Sequence, residues 1–596
     1  MTQHPQPASY TSVPFDMTPS PPPSAAPPDW THCATGAGPG DPVGCRGYPV
    51  DPYDLCLAHL SDVDRTAYLR GLGPGSAVDH RGTSLDTPLI QRLLWALRDP
   101  ATGNARFGFA DFGSATFGNG ASFESATFES RARFGSATFE SDAYFGSATF
   151  QFSVDFGSAT FQGSADFGSA TFRRSAYFES TTFKSGARFG SATFERDAYF
   201  GSATFEHDAD FGATTFERDA DFGLATLQRT ASLGPLACAG RVELSGTVFG
   251  AAVTIALAAR HLECHRTRWS ATAALQLRYA TVDFTHAVVA HPLSIAAEPN
   301  GFVIPSVGQV DERVLASAAG DHVRIVSLRG VDAAHLVLTD IDLTDCRFTG
   351  AFHLDKLRIE GKCTFAVPAA QGRWTRRRVL AEEHHWRALT PGNPAAPHGW
   401  TPGPHHPDPA LTPGPDELAS VYRALRKATE DAKNEPDAAD FYYGEMEMRR
   451  HDRARPRAER ALLTIYWALS GYGLRASRAL IGLLVAMTMT VVLLMLVGLP
   501  SQPRVQSTTG TLTDSGSVTL STRASVPGGE TPEPLVDRFS WSRAERAART
   551  AVNSVIFRSA GQGLTVPGTY VEMTSRLVEP ALLALALLAI RGRVKR

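Results

Sequence analysis

Phenylalanine marks out a ladder that few folds can accommodate. From Phe112 to Phe222 the spacing alternates five, six, five, six without a break, and 21 Phe stand on it. Eighteen of them have Ala two residues earlier; the exceptions carry Val154, Thr181 and Thr214, which are also compact. Residues i−2 and i lie on one side of a strand. Ala and Phe therefore both point inward, and the Thr, Asp, Tyr or Arg between them points out. This rhythm, amid so much Gly, Ser and Thr, does not suit an amphipathic helix, and the Gly-Ser or Glu-Ser that follows many of the Phe turns a corner. A chain that repeats a very short strand and a corner winds into a β-solenoid, each coil hydrogen-bonded to the next. No Pro falls between Pro100 and Pro235, as uninterrupted ladders require.

The apolar positions continue at Leu227, Leu233, Cys238, Leu244, Phe249 and Ile255. A second patch, VDAAHLVLTDIDLTDCRFTGAFHL at 331–354, sets Leu338, Leu343 and Phe348 five apart. Tandem A-x-F-x-x resembles the pentapeptide-repeat family, whose usual unit is A(D/N)Lxx, with Phe here in place of Leu. The resemblance implies a mainly β, right-handed quadrilateral β-helix over 105–365, with alternate units carrying a sixth residue at a bulged corner. Four units make a coil of about 22 residues. The expected core includes Phe112, Phe117, Phe123, Phe128, Phe134, Phe139, Phe145, Phe150, Phe156, Phe161, Phe167 and Phe172. Cys346 and Cys363 occupy the Ala slot and are expected as small buried groups. The periodicity weakens near 286–325, where an insertion is expected. Outward Tyr144, Tyr177 and Tyr199 mostly decorate a face.

Flanking composition sets the remaining boundaries. Residues 1–29, with TPSPPPSAAPP, read as disordered. Residues 61–104 carry two helical patterns, LSDVDRTAYLRGL and TPLIQRLLWALRD, the second suited to cap the open end of a solenoid. The Pro- and His-rich stretch at 366–415 reads as a linker, its His384–His385 and His405–His406 pairs solvated. Residues 416–474 read as a helical hairpin followed by an interfacial basic and aromatic segment. Glu445 and Glu447 are two apart and face different ways on a helix, which argues against paired acid–base chemistry.

Residues 30–60 hold Cys33, Cys45, Cys56 and His59 as C-x11-C-x10-C-x2-H. Thiolates and imidazole suit tetrahedral zinc, and a Pro/Gly-rich segment without a core can take its folding energy from metal. The first spacing is longer than in common zinc modules, so unconnected thiols are the alternative. His32 is a substitute ligand. Zinc is the one cofactor expected.

ALIGLLVAMTMTVVLLMLVGL at 479–499 is free of charge and long enough to span a bilayer. A second span is expected at about 570–590, and it must place Glu572 and Glu579 against protein or water. The two spans bound a membrane module at 475–596, with an external loop over 500–545. Basic residues flanking the inner ends put both termini in the cytoplasm of a bacterial-type cell. Between the spans, 546–567 resembles a degenerate potassium-channel pore, with Ser559, Gly561, Gln562 and Gly563 in the filter positions, as some membrane-bound pentapeptide-repeat proteins carry. Gln562 replaces the Tyr, Leu564 the Asp, and Arg558 stands beside the filter.

No nucleophile elbow, phosphate loop or zinc-protease motif occurs in the sequence, so an enzyme is not expected. The formal net charge of −3 disfavours a nucleic-acid partner. The expected role is a membrane-anchored scaffold that presents its solenoid to a protein partner, with a homo-oligomer possible. The alternative is a channel, or degenerate channel subunit, regulated by the β-helix.

Overall fold

The structure, a computed structural model, describes residues 27–305, 307–316, 318, 320, 322–367, 377–389, 412–500, 505–512, 518–525, 538–556 and 564–594. A mainly β solenoid of about eleven turns of parallel stacked strands dominates it. The chain divides into two compact units, 1–331 with 335–342, and 332–334 with 343–596.

In the first unit the coil length follows from register. Thr149 and Phe150 pair in parallel with Thr171 and Phe172, and Val154 and Asp155 with Ala176 and Tyr177. Each step is the 22 residues of two five–six pairs. The strands are two residues long, one inward and one outward. Four columns of Phe result. Within a column the rings stack: Phe134–Phe156 centroids lie 4.8 Å apart at 7°, and Phe145–Phe167 5.0 Å apart at 5°. Those distances match the spacing of hydrogen-bonded strands, about 4.8 Å. Between columns the rings meet edge to face, as Phe145 and Phe156 do at 5.3 Å and 84°, an arrangement aromatic quadrupoles favour. All twelve expected core Phe are at most 1% exposed.

The corners differ by unit length. After Phe145 the five-residue unit makes a turn closed by the Ala148 N–H to the Phe145 carbonyl at 3.0 Å, with Ser147 at φ 57°. Ser recurs in this left-handed position at 114, 125, 136, 158, 169, 180, 191 and 202. In the six-residue units the extra residue sits in a bend whose N–H groups bond to adjacent coils, such as Gln151 N–H to the Phe128 carbonyl. Where Thr stands in the Ala slot its buried hydroxyl is satisfied: Thr181 Oγ1 donates to the Phe156 carbonyl at 2.8 Å, and Thr214 Oγ1 to that of Phe189 at 2.7 Å.

Parallel pairing starts ahead of the expected 105. Ser76–Asp79 pairs with Arg106–Asp111, and Ser84–Leu85 with Thr116–Phe117. These strands carry Val78 and Leu85 in the inward positions, so no A-x-F signal announced them. Two helices flank them, α1 (Asp62–Gly71) and α2 (Thr87–Ala96). Asp86 caps α2 by accepting from Leu89 N–H at 2.9 Å, and Leu89, Ile90 and Leu93 turn inward. The insertion is also shorter than expected. Val288–Val289 and Leu293–Ala297 still pair within the stack, and Arg324–Ser327 rejoins it on Thr281–Asp283. The excursion between them holds a small antiparallel hairpin, Val303–Ile304 with Gly308–Gln309. Buried Arg278 anchors it through Glu312 and the Glu298 carbonyl.

The second unit opens with buried Cys346, Phe348, Leu354, Cys363 and Phe365. The expected linker is in part folded. Helix α3 (Ala381–Leu389) lies inside it, and His384 and His385 are buried rather than solvated; His405 and His406 lie outside the described residues. Glu382 accepts from the N–H groups of Phe348 at 2.8 Å and Thr349 at 2.7 Å. Helices α4 (Pro415–Asp431) and α5 (Glu435–His451) form the hairpin, burying Leu418, Val421, Tyr422, Leu425, Phe441, Met446 and Met448. Glu445 pairs with Arg423 and Arg426, Glu447 with Arg450 and Arg387, so the two acids do diverge.

Glu383 is the centre of a buried network. Arg377 and the Tyr422 hydroxyl donate to it, and Arg387 Nε does so at 2.7 Å. Burial alone would push this carboxyl up; the charges of Arg377 and Arg387 and the Tyr422 hydroxyl outweigh that and hold it at about 2. A carboxyl depressed in the fold contributes stability that is complete above its unfolded value of about 4.5 and is lost as pH falls toward 2. The loss is expected to be on the order of 3 kcal/mol. Glu383→Ala, which strands two buried guanidinium groups, is expected to cost about 3–5 kcal/mol at pH 7 and to flatten the acid limb of a urea-denaturation pH series.

Helix α6 (Arg457–Ser470) leads through Gly471, Tyr472 and Gly473, all at positive φ, into α7 (Ala476–Leu493). GYG is thus a turn. Its Tyr472 is buried and donates to Glu447 at 2.9 Å. Of the six Arg between 449 and 460, Arg449 and Arg455 hold Glu459, Arg450 holds Glu447, and Arg460 Nε donates to the Arg450 carbonyl at 3.3 Å. After α7 comes a π-turn, Leu494–Gly498, then a hairpin of Val505–Leu512 with Val518–Ser525, helix α8 (Trp541–Ile556) and helix α9 (Val566–Val594). Ala476–Gly498 and Val566–Arg591 are both long and apolar enough to cross a membrane. Gly568 meets Gly498 so closely that an added Cβ would lie 2.5 Å from the Gly498 carbonyl oxygen. Glu572 pairs with Arg576 at 3.0 Å.

Candidate functional site

The four sequence-selected ligands converge. Local backbone explains how residues so far apart in sequence meet. Cys33 N–H donates to Gly47 O at 2.8 Å, Ala34 N–H to Cys45 O at 2.9 Å and Cys45 N–H to Thr35 O at 3.0 Å, which lays 33–35 beside 45–47. A tight turn, His59 N–H to Cys56 O at 2.9 Å, brings the C-x2-H pair together. Gly47 lets the two halves close: a Cβ there would lie 2.7 Å from Cys56 Cβ and 2.9 Å from its sulfur.

Cys33, Cys45, Cys56 and His59 place their ligand atoms within 4.8 Å of one another. Cys45 Sγ to Cys56 Sγ is 3.7 Å, Cys56 Sγ to His59 Nδ1 3.3 Å, and Cys33 Sγ to His59 Nδ1 3.6 Å. A tetrahedron built on Zn–S of about 2.3 Å and Zn–N of about 2.0 Å has edges of about 3.8 Å for S–S and 3.5 Å for S–N. The set fits a tetrahedral metal, and 3.7 Å is far beyond a disulfide bond. The hydrogen bond with Cys56 pulls the Cys45 thiol down to about 5, and the same contact with burial pushes Cys56 up. Gly47 N–H donates to Cys45 Sγ at 3.4 Å, which also favours thiolate. Cys33 and Cys56 are buried and His59 is exposed. His32 is not part of the cluster.

The segment docks on the start of the solenoid. Tyr48 N–H donates to the Arg81 carbonyl at 2.7 Å, and the Arg81 guanidinium lies 4.7 Å over the Tyr48 ring. Only side chains of the cluster were legible in the sequence; Arg81, Tyr48 and Gly47 carry no motif.

Of the outward Tyr, Tyr177 and Tyr199 stack at 5.2 Å, and Tyr144 is exposed beside Asp142. Ser559, Gly561, Gln562 and Gly563 lie outside the described residues. The family model of pentapeptide repeats (9 copies) matches residues 145–193, the centre of the Phe ladder. No curated protein and no solved structure matches the chain.

Proposed function

We propose that the chain is a non-catalytic, membrane-anchored scaffold whose solenoid offers a rigid cytoplasmic surface to a protein partner. One observation carries this reading: the solenoid spends its inward positions on a dry Phe/Ala core and leaves its variable chemistry on outward faces. Such one-dimensional stacks present long, fixed arrays of side chains. Helices α7 and α9 supply the anchor, crossing the bilayer with both termini in the cytoplasm of a bacterial-type cell. Zinc on Cys33, Cys45, Cys56 and His59 supplies a cross-link for a segment that has little core of its own. The solenoid from 105 to 234 is only mildly acidic, which speaks against mimicry of nucleic acid, and no nucleic-acid partner is assigned. The channel alternative gains no support from the described residues.

Chemical crosslinking and mass spectrometry of the tagged full-length chain in its own membranes tests the role. A monomer or dimer crosslinked through the outward faces of 105–365 to one recurrent protein is the expected result. A homotetramer without such a protein contradicts it.

A further inference from the structure

A carboxylate sits at the middle of the second apolar helix with half its hydrogen bonding missing. Glu579 is 0% exposed. Thr490 Oγ1 donates to its Oε1 at 2.6 Å, and Oε2 has no partner. It lies 13 residues into the span that begins at Val566, so at 1.5 Å per residue it is roughly 20 Å from that end, near a bilayer midplane. A charge there is costly unless something meets it, and such residues mark sites. Among the described residues Glu579 makes no ion pair. Glu579 borders a cavity of about 350 Å³ between α7 and α9, whose walls are largely hydrocarbon from Ala486, Met489, Leu493, Val571 and Val578.

The geometry points to a binding site for a small lipophilic cation, an ammonium whose charge meets Glu579 and whose apolar body fills the cavity. A hard metal ion wants a shell of about six or more oxygens. Besides Glu579 the lining offers the hydroxyls of Thr490, Tyr570, Thr574 and Ser575, of which Thr574 and Ser575 donate to carbonyls of their own helix and Thr490 donates to Glu579 itself. An organic cation asks only for one carboxylate and apolar contact, which this cavity has. This site rests on the reading that α7 and α9 cross a membrane.

The test uses full-length protein in lipid nanodiscs and radiolabelled benzyltrimethylammonium, with empty nanodiscs as the baseline. Saturable binding at one site per chain is expected, weakened at least tenfold by Glu579→Gln, which keeps the shape and the Thr490 contact. Ala486→Phe, which fills the cavity and leaves the acid, is expected to weaken binding as much. Sodium and potassium at 100 mM should not displace the probe. Saturable binding that is absent, unchanged in Glu579→Gln or displaced by either metal overturns the site. Failure of the chain to enter nanodiscs overturns the membrane reading, and the site with it; entry without binding overturns the site alone.

Discussion

Phe156→Asp is expected to abolish cooperative folding of the solenoid. The ring is fully buried, stacked on Phe134 at 4.8 Å and Phe178 at 5.0 Å, and met edge-on by Phe145 and Phe167 at 5.3 Å each. Removing a buried Phe costs about 3–5 kcal/mol, and a carboxylate among aromatic rings, with no cation near, adds several more. Domains hold about 5–15 kcal/mol in total. Nearest-neighbour stacks transmit such damage to the coils on either side. Far-UV circular dichroism on heating should show the wild-type transition lost or shifted far down. Thr160→Asp, on the outward position of the next strand, should cost about 1 kcal/mol or less. Equal melting of Phe156→Asp and wild type would overturn the inward register.

The second large effect concerns metal. Protein purified with neither added metal nor chelator is expected to hold one zinc per chain, by elemental mass spectrometry. Cys56→Ser should lose it, because Cys56 touches both Cys45 and His59. Structural zinc contributes an apparent 10–16 kcal/mol or so in small modules. Limited proteolysis should therefore open at 30–60 first in the variant and in chelated wild type. The Tyr48–Arg81 contact makes the first coil the next to loosen. Wild-type protein without zinc would remove the metal centre and leave four thiol and imidazole groups that meet for another reason.

How much of this was legible in the sequence depended on repetition. The A-x-F rhythm names its own inward positions, so twelve Phe could be placed without coordinates. Val78 and Leu85 obey the same geometry, but one four-residue and one two-residue strand, with a helix before them and another after, produce no period. The insertion was overdrawn for a related reason: Leu293 and Ile295 stay in register without any Phe. The Cys and His of the cluster announced themselves by chemistry, although spacings of eleven and ten did not show that 33–35 and 45–47 lie side by side. Helix α3 was hidden because Pro-rich neighbours and paired His suggested solvent. What buries Glu383 is Arg377, Arg387 and Tyr422, and only three-dimensional packing brings those together. Glu579 was visible as an anomaly within an apolar span, whereas its Thr490 partner 89 residues away was not.

Alkaline carbonate extraction, combined with protease access to an N-terminal tag in right-side-out and inverted membrane vesicles, tests the anchored-scaffold account most directly. The account predicts that the full-length chain stays in the carbonate pellet and that protease removes the tag only in inverted vesicles. Release into the supernatant, or removal of the tag from the outer side, would contradict it.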